Sequence, residues 1–142
     1  MGVPGAAGGF ATEEISVDTA DRQLVDLTEE VAGFCEGRGR GLLSLFVPHA
    51  TAGLALMETG SGSEADLVDT LARLLPRDDR YQHRHGASGH GADHLLPALV
   101  SPSLVVPVDS GRPLLGTWQR VVLVDLNSDN PRRRLRLTFL GD

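Results

Sequence analysis

The chain has 142 residues, 41% of them apolar and 23% charged, proportions typical of one globular domain rather than of a disordered chain. Its 13 basic residues are all arginine and are outnumbered by 19 acidic residues, and the net charge of −6 argues against a general nucleic-acid binder. The lack of lysine excludes a Walker-type phosphate loop, and a single cysteine, Cys35, excludes an intrachain disulfide framework.

The sequence predicts neither a membrane span nor a signal peptide. No apolar run reaches the roughly 18 residues that cross a bilayer, and the first residues lack a basic segment followed by an apolar one. We therefore expect a cytoplasmic protein without a membrane partner. Residues 1–9 are rich in glycine and alanine, which predicts a disordered start before a single domain over residues 10–142.

The first half of the domain is predicted to contain a strand and then a helix. Apolar residues alternate over residues 13–18, as in a strand with one buried face. Apolar residues then recur at helical spacing over residues 24–34. Asp18 or Thr19 is the candidate N-cap of this helix, and Gly37 is its predicted end.

Two further strands and a second helix follow. Residues 42–47 form a continuous apolar run that predicts a buried strand, and residues 54–57 predict the next strand. Ser61 or Ser63 is the candidate N-cap of the second helix, which must end before Pro76.

The second half of the domain is predicted to be mostly strand and turn. Residues 77–93 show no periodicity, and residues 94–100 are long enough for a short helix. Residues 104–108 and 115–126 resemble the arms of a β-hairpin, and apolar residues alternate with polar ones over the last strand, 134–139. Strands interspersed with two or three helices indicate an α+β fold.

Histidines are concentrated in the aperiodic segment. Four of the five, His83, His85, His90 and His94, fall within twelve residues, and His49 follows an apolar strand. His83 and His85 would share a face of a strand, whereas His90 and His94 would share a face of a helix. Imidazole is a common ligand of Zn²⁺. The spacing therefore allows a metal site. The alternative is a polar loop that is rich in histidine and binds no metal.

Two carboxylates and the only tryptophan are further candidates for a functional site. Glu58 ends an apolar strand and must reach solvent, a metal or a substrate. Asp66 follows Ser63 by three residues, so it is either a helix-capping carboxylate or a catalytic group. Trp118 lies in an apolar stretch, which is more typical of a core residue than of a ligand contact.

Arginines are clustered near the end of the chain. Arg132, Arg133, Arg134 and Arg136 occupy four of five consecutive positions. Arginine pairs with phosphate through two nitrogens, so the cluster is a candidate anion site. The alternative is an exposed strand face beside a turn.

Several segments together resemble the YjbQ family, whose proteins are described as secondary thiamine-phosphate synthase-like. Residues 103–119, SLVVPVDSGRPLLGTWQ, are similar to the family signature, and residues 48–54, PHATAGL, are similar to its first histidine segment. Further agreement lies at Asp66, residues 81–83, His94 and residues 129–134, DNPRRR. His85 and His90 have no counterpart in the pattern, which indicates that they are bystanders.

The resemblance implies a fold, an assembly and a site. The fold would be a curved antiparallel β-sandwich with two to three packed helices, assembled as a homotrimer. The implied metal ligands are His49, His83 and His94, with zinc as the first expectation and Mg²⁺ as an alternative beside a phosphate substrate. The implied catalytic groups are Glu58 and Asp66. The implied substrate and phosphate contacts are Thr51, Gln119, Arg132 and Arg134.

Three functions are compatible with this pattern. The first is a transferase that joins a pyrimidine diphosphate to a thiazole phosphate and releases pyrophosphate, as the resemblance implies. The second is a metal-dependent hydrolase in which a metal-bound water attacks and Glu58 or Asp66 is the general base. The third is a non-catalytic trimer that binds a metal or a small ligand.

Overall fold

A computed structural model describes residues 9–84 and 86–142. Residues 1–8, most of the segment predicted to be disordered, lie outside the described residues, and so does His85. Within the described ranges the chain forms eight strands and three helices. In chain order they are β1 (Phe10–Asp18), β2 (Leu24–Asp26), α1 (Thr28–Cys35), β3 (Gly41–Phe46), β4 (Gly53–Met57), α2 (Ser63–Leu74), α3 (His90–Leu99), β5 (Ser103–Asp109), β6 (Arg112–Pro113), β7 (Arg120–Val124) and β8 (Arg132–Gly141).

The strands form two antiparallel sheets. One has five strands in the order β1-β8-β3-β5-β6, and the other has three in the order β2-β7-β4. The predicted α+β class is confirmed, with curled antiparallel sheets and three helices. Among the described residues, no helix combines the length and the apolar character needed to cross a bilayer.

The central strand of the smaller sheet, β7, is buried on both faces. Val121 and Leu123 belong to the core between the two sheets, together with side chains of α1 such as Val31. Val122 and Val124 pack on the opposite side, in a second cluster to which α2 and α3 contribute. The molecule therefore has three layers: the larger sheet, the smaller sheet, and the pair α2 and α3.

The first helix is shorter than the sequence predicted. Helix α1 begins at Thr28, because Leu24–Asp26 pairs with β7 as strand β2 instead. The Asp26 carboxylate accepts hydrogen bonds from the backbone N–H and the hydroxyl of Thr28, and so ends the strand at this point. The predicted N-caps, Asp18 and Thr19, are therefore wrong, since the helix begins ten positions after Asp18.

Two other boundaries also differ from expectation. Helix α2 has Gly62, in the left-handed conformation, as its N-cap residue in place of a serine. Helix α3 begins at His90, four residues before its predicted start. The predicted hairpin partner is wrong as well, because β5 turns into the two-residue strand β6, while β7 pairs with β2 and β4.

The outer face of the larger sheet exposes large apolar side chains. Leu42 is 50% exposed, so the run predicted to be a fully buried strand is buried on one face alone. Leu140 lies between Phe10 and Leu42 in the strand register. The outer apolar patch consists of Phe10, Leu42, Phe46, Val105 and Leu140. It is a feature that normally marks an interaction surface.

Candidate metal centre

The N-terminal turn of α3 supplies two of the imidazoles. His90 and His94 are four residues apart, a spacing that places side chains one above the other on a helix. Their Nε2 atoms are 2.9 Å apart, and their ring centroids are 4.4 Å apart. The helix alone therefore brings two ligand nitrogens together.

The loop before α3 supplies the third imidazole. The ring centroid of His83 lies 4.2 Å from that of His94 and 5.0 Å from that of His90. The loop approaches the helix closely at Gly91, where an added Cβ would lie 2.6 Å from the carbonyl oxygen of His83 and 2.8 Å from Cβ of Tyr81. Only glycine leaves room for the loop at this point, because real Cβ contacts do not approach so closely.

An ion pair fixes the same loop to α3. The guanidinium of Arg77 binds the carboxylate of Asp93 with two nitrogens, and its Nη2 lies 3.1 Å from Oδ2. Asp93 is almost completely buried next to His94 in the helix. Within the loop, the hydroxyl of Tyr81 donates to the carbonyl oxygen of Pro76 over 2.7 Å.

A carboxylate from a distant segment binds the outer nitrogen of His90. Oδ2 of Asp129, in the turn between β7 and β8, lies 3.1 Å from Nδ1 of His90. An ionised carboxylate can only accept, so Nδ1 of His90 carries the proton in this contact. In the neutral ring, Nε2 is then unprotonated, and its lone pair is directed towards His94.

The three histidines have the chemistry of a metal centre. One ligand atom from each of His83, His90 and His94 lies within 4.8 Å of the others. All three rings are partly buried, which separates them from bulk water without enclosing them. Three imidazoles with space for a further ligand are the protein ligands of some catalytic zinc sites. The donor set therefore fits a borderline-soft divalent cation better than Mg²⁺, which prefers oxygen ligands.

His49 lies outside this group, although the resemblance implied it as a ligand with His83 and His94. Its Nε2 accepts a hydrogen bond from the backbone N–H of Arg134 over 2.9 Å. Partial burial, together with the positive charges of Arg133 and Arg134, lowers the pKa of His49 below the usual 6.5. The single chain therefore combines His83 and His94 with His90, and it uses His49 to tie a loop to β8.

The two candidate catalytic carboxylates also lie apart from the three histidines. Glu58 is exposed just after β4, and Asp66 is exposed in the first turn of α2. The carboxylate that braces this helix start is Glu64, which accepts the backbone N–H of Gly60 at 3.0 and 3.1 Å. Neither Glu58 nor Asp66 belongs to the group of ligand atoms formed by the described residues.

The arginines predicted to bind an anion differ in their ion pairs. Alternation along β8 exposes Arg132, Arg134 and Arg136. Glu14, on β1, lies 3.8 Å from Arg134 and 3.0 Å from Arg136. Within residues 9–84 and 86–142, Arg132 forms no ion pair, which leaves its guanidinium available to an anion.

Arg133 has a different role from its neighbours. Its side chain is 2% exposed, and its Nε lies 2.6 Å from Oδ2 of the buried Asp125. Its Nη2 also donates to the hydroxyl of Thr51 over 2.8 Å. Thr51, a predicted substrate contact, is thus part of a buried network beneath the loop that carries His49.

The end of the signature segment, residues 116–119, forms an exposed turn. Oε1 of Gln119 accepts the backbone N–H of Gly116 over 2.8 Å, so this predicted substrate contact closes the turn. Trp118 between them is 71% exposed, and its interpretation as a core residue is wrong. It lies on a loop between sheets, where the local apolar pattern is unrelated to burial.

Comparison with known proteins places the chain among close relatives. A model of the UPF0047 YjbQ-like proteins matches residues 13–142. A UPF0047 protein of Mycobacterium tuberculosis is 66% identical over 129 residues, which cover 91% of this chain and 97% of the relative. A UPF0047 protein of Archaeoglobus fulgidus is 36% identical over 85% of this chain and 94% of its own.

Solved structures agree with the fold. A YbjQ-like protein of unknown function from Sulfolobus solfataricus superposes with a TM-score of 0.85 at 28% identity, covering 94% of this chain and 98% of its own. A hypothetical protein from Aeropyrum pernix gives a TM-score of 0.80 at 31% identity, covering 93% and 99%. The sequence resemblance is thus confirmed, and the chain belongs to the UPF0047 family of YjbQ-like proteins.

Proposed function

We propose that this chain is a metal-binding protein whose metal centre, formed by His83, His90 and His94, holds one divalent transition-metal ion, with zinc the first expectation. The observation that supports the proposal is the convergence of three imidazoles from two different elements, with ligand atoms within 4.8 Å of one another. When bound, such an ion polarises an oxygen of a substrate.

The chain's own residues hold the centre in place. Gly91 allows the loop to approach the helix, and the ion pair between Arg77 and Asp93 prevents its separation. Asp129 supports His90 from the outside. Ligands held by such outer contacts bind metal more tightly, because less reorganisation is needed.

The direct test measures metal content after removal by a chelator and reloading with Zn²⁺. We expect one ion per chain, and loss of tight binding in H83A, H90A and H94A. The matched control is H49A, which should retain the stoichiometry. Retention of zinc by H90A together with its loss in H49A would favour the ligand set implied by the family resemblance instead.

A second candidate function is the thiamine-phosphate-forming transferase reaction. Arg132 favours it, since this residue forms no ion pair among the described residues and follows Asp129 by three positions. Three residues span at most about 11 Å, so Cα of Arg132 lies within about 11 Å of Cα of Asp129, the residue that contacts His90. Arg132 would bind the departing pyrophosphate. The test measures pyrophosphate release. Release should require both the pyrimidine diphosphate and the thiazole phosphate, and it should fall in R132A.

Two alternatives to the transferase have distinguishable outcomes. Metal-dependent hydrolysis would release phosphate from single phosphate esters without a second substrate. A non-catalytic binding protein would show no turnover in either metal-free or metal-loaded form. Glu58 or Asp66 would be the general base of hydrolysis, so loss of this phosphate release in E58Q or D66N would support the hydrolase.

We also propose that the chain assembles as a homotrimer. The outer apolar patch supports this, because it would otherwise leave five large apolar side chains in contact with water. A second support is that Arg136 and Glu14 lie on the same sheet face, where charged groups could flank an interface. Light scattering at micromolar concentration would give a mass of three chains.

A further inference from the structure

We infer that Asp129 is a positioning residue of the metal centre, which holds the His90 ring in the tautomer whose Nε2 is unprotonated and faces His94. This inference rests on the proposed metal-binding function. It assigns a role to a residue on a different element from the three ligands.

The geometry at His90 supports this role. Asp129 accepts a hydrogen bond from Nδ1 of His90 at 3.1 Å. Nε2 of the same ring lies 2.9 Å from Nε2 of His94, on the inner side. One nitrogen of His90 is therefore used for orientation and the other is presented to the centre. Carboxylate support of this kind fixes both the ring rotation and the basicity of a metal-binding histidine.

The backbone around Asp129 is itself held by buried groups. Its N–H donates to Oδ1 of Asn127 over 2.7 Å, and the N–H of Asn127 donates to Oδ1 of Asp125 over 3.0 Å. Asp125 is paired with the buried Arg133. A chain of hydrogen bonds thus leads from the buried ion pair to the rim of the metal centre.

Asp129 also contacts the loop that precedes α3. Its Oδ2 lies 3.4 Å from the backbone N of Ala87, three residues before the start of α3. The carboxylate therefore spans the gap between the β7–β8 turn and the start of α3. Any hydrogen-bond acceptor at position 129 could tether the turn to the loop. An ionised carboxylate, which can only accept, also favours the tautomer of His90 with the proton on Nδ1.

The experiment compares D129N and D129A with the wild-type chain. Metal affinity is measured by competition with a chromophoric chelator, using Co²⁺ and Zn²⁺. The ring protonation of His90 in the metal-free protein is read from its ¹⁵N chemical shifts. D78N is the control, because Asp78 is an exposed carboxylate of the loop before α3 whose hydrogen bonds among the described residues all involve Arg80.

We expect affinity to fall about 10-fold in D129N, which keeps a neutral acceptor, and about 100-fold in D129A. Nδ1 of His90 should be protonated in the wild type and mixed in D129A, while D78N matches the wild type in both measurements. Unchanged affinity in D129A, with zinc still bound at one ion per chain, would overturn the role of Asp129 and leave the metal centre intact. Failure of the wild-type chain to bind either metal would overturn both proposals.

Discussion

Single residues decide whether the loop can reach the helix, and Gly91 is the clearest case. We expect G91A to lower the free energy of unfolding by about 1–3 kcal/mol, because its Cβ would overlap the His83 carbonyl and force a backbone shift. Displacement of His83 should also weaken zinc binding. Urea unfolding and chelator competition measure the two effects.

The control for this substitution is another helical glycine. Gly33 lies in α1, and a Cβ added there would have no atom within 4 Å. G33A should raise the stability by about 0.5–1 kcal/mol, since alanine loses less backbone entropy on folding. Equal behaviour of the two variants would contradict the close approach at Gly91.

His49 makes the stability of the fold depend on pH. Its pKa is lower in the folded chain than its unfolded value of 6.5, mainly because of burial and also because of Arg133 and Arg134. Neutral His49 therefore stabilises the fold above pH 6.5, and this stabilisation is lost as the pH falls through 6.5 towards the folded pKa.

H49Q tests this dependence, because glutamine keeps an acceptor for the Arg134 N–H but does not titrate. Urea unfolding is compared at about pH 7.5 and about pH 5.5. The wild type should lose more stability than H49Q between the two conditions. A loss of equal size in both proteins would show that other groups account for the pH dependence.

At the scale of elements, the buried ion pair joins the β7–β8 turn to β8, and Arg133 also donates to Thr51 in the loop before β4. R133M should reduce the free energy of unfolding by about 3–5 kcal/mol, because it leaves the charge of Asp125 buried without a partner. R40M removes an exposed pair with Asp142 and should not change the urea midpoint measurably. Similar midpoints for R133M and R40M would argue against the buried pair as an anchor.

The strands that were predicted well are those with a strict local alternation. β8 is the best case, since Leu135 and Leu137 are buried while Arg134 and Arg136 are exposed. The start of α1 was predicted wrongly because Leu24 fits both a helical and an extended pattern. Its pairing with Val124, one hundred residues later, decides the outcome and cannot be read from local sequence.

The candidate site, like the fold, was predictable from the sequence only where the signal is local. The spacing of His90 and His94 was visible as a helical pair, although the family pattern gave His90 no role. The position of His83 depends on the loop's approach to Gly91, and Asp129 arrives from a turn 35 positions after His94. Both positions depend on tertiary structure: the family resemblance implied His83 as a ligand without placing it beside His90, and no sequence signal gave Asp129 a role.

At the scale of the whole molecule, the outer apolar patch should control assembly. L140E places a charge between Phe10 and Leu42, and we expect it to reduce the mass in light scattering from that of the proposed trimer to that of one chain. L74E is the control, because Leu74 is a similarly exposed residue on α2, outside the patch. A trimeric L140E with native circular dichroism would place the interface elsewhere.

Strand β7 has a consequence for how the molecule unfolds. Val121 and Leu123 serve the core between the sheets, and Val122 and Val124 serve the core under α2 and α3. Neither core can lose this strand without exposing the other, so both should melt in a single cooperative transition. The amide protons of β7 should then exchange with deuterium only through global unfolding, more slowly than those at the ends of β1.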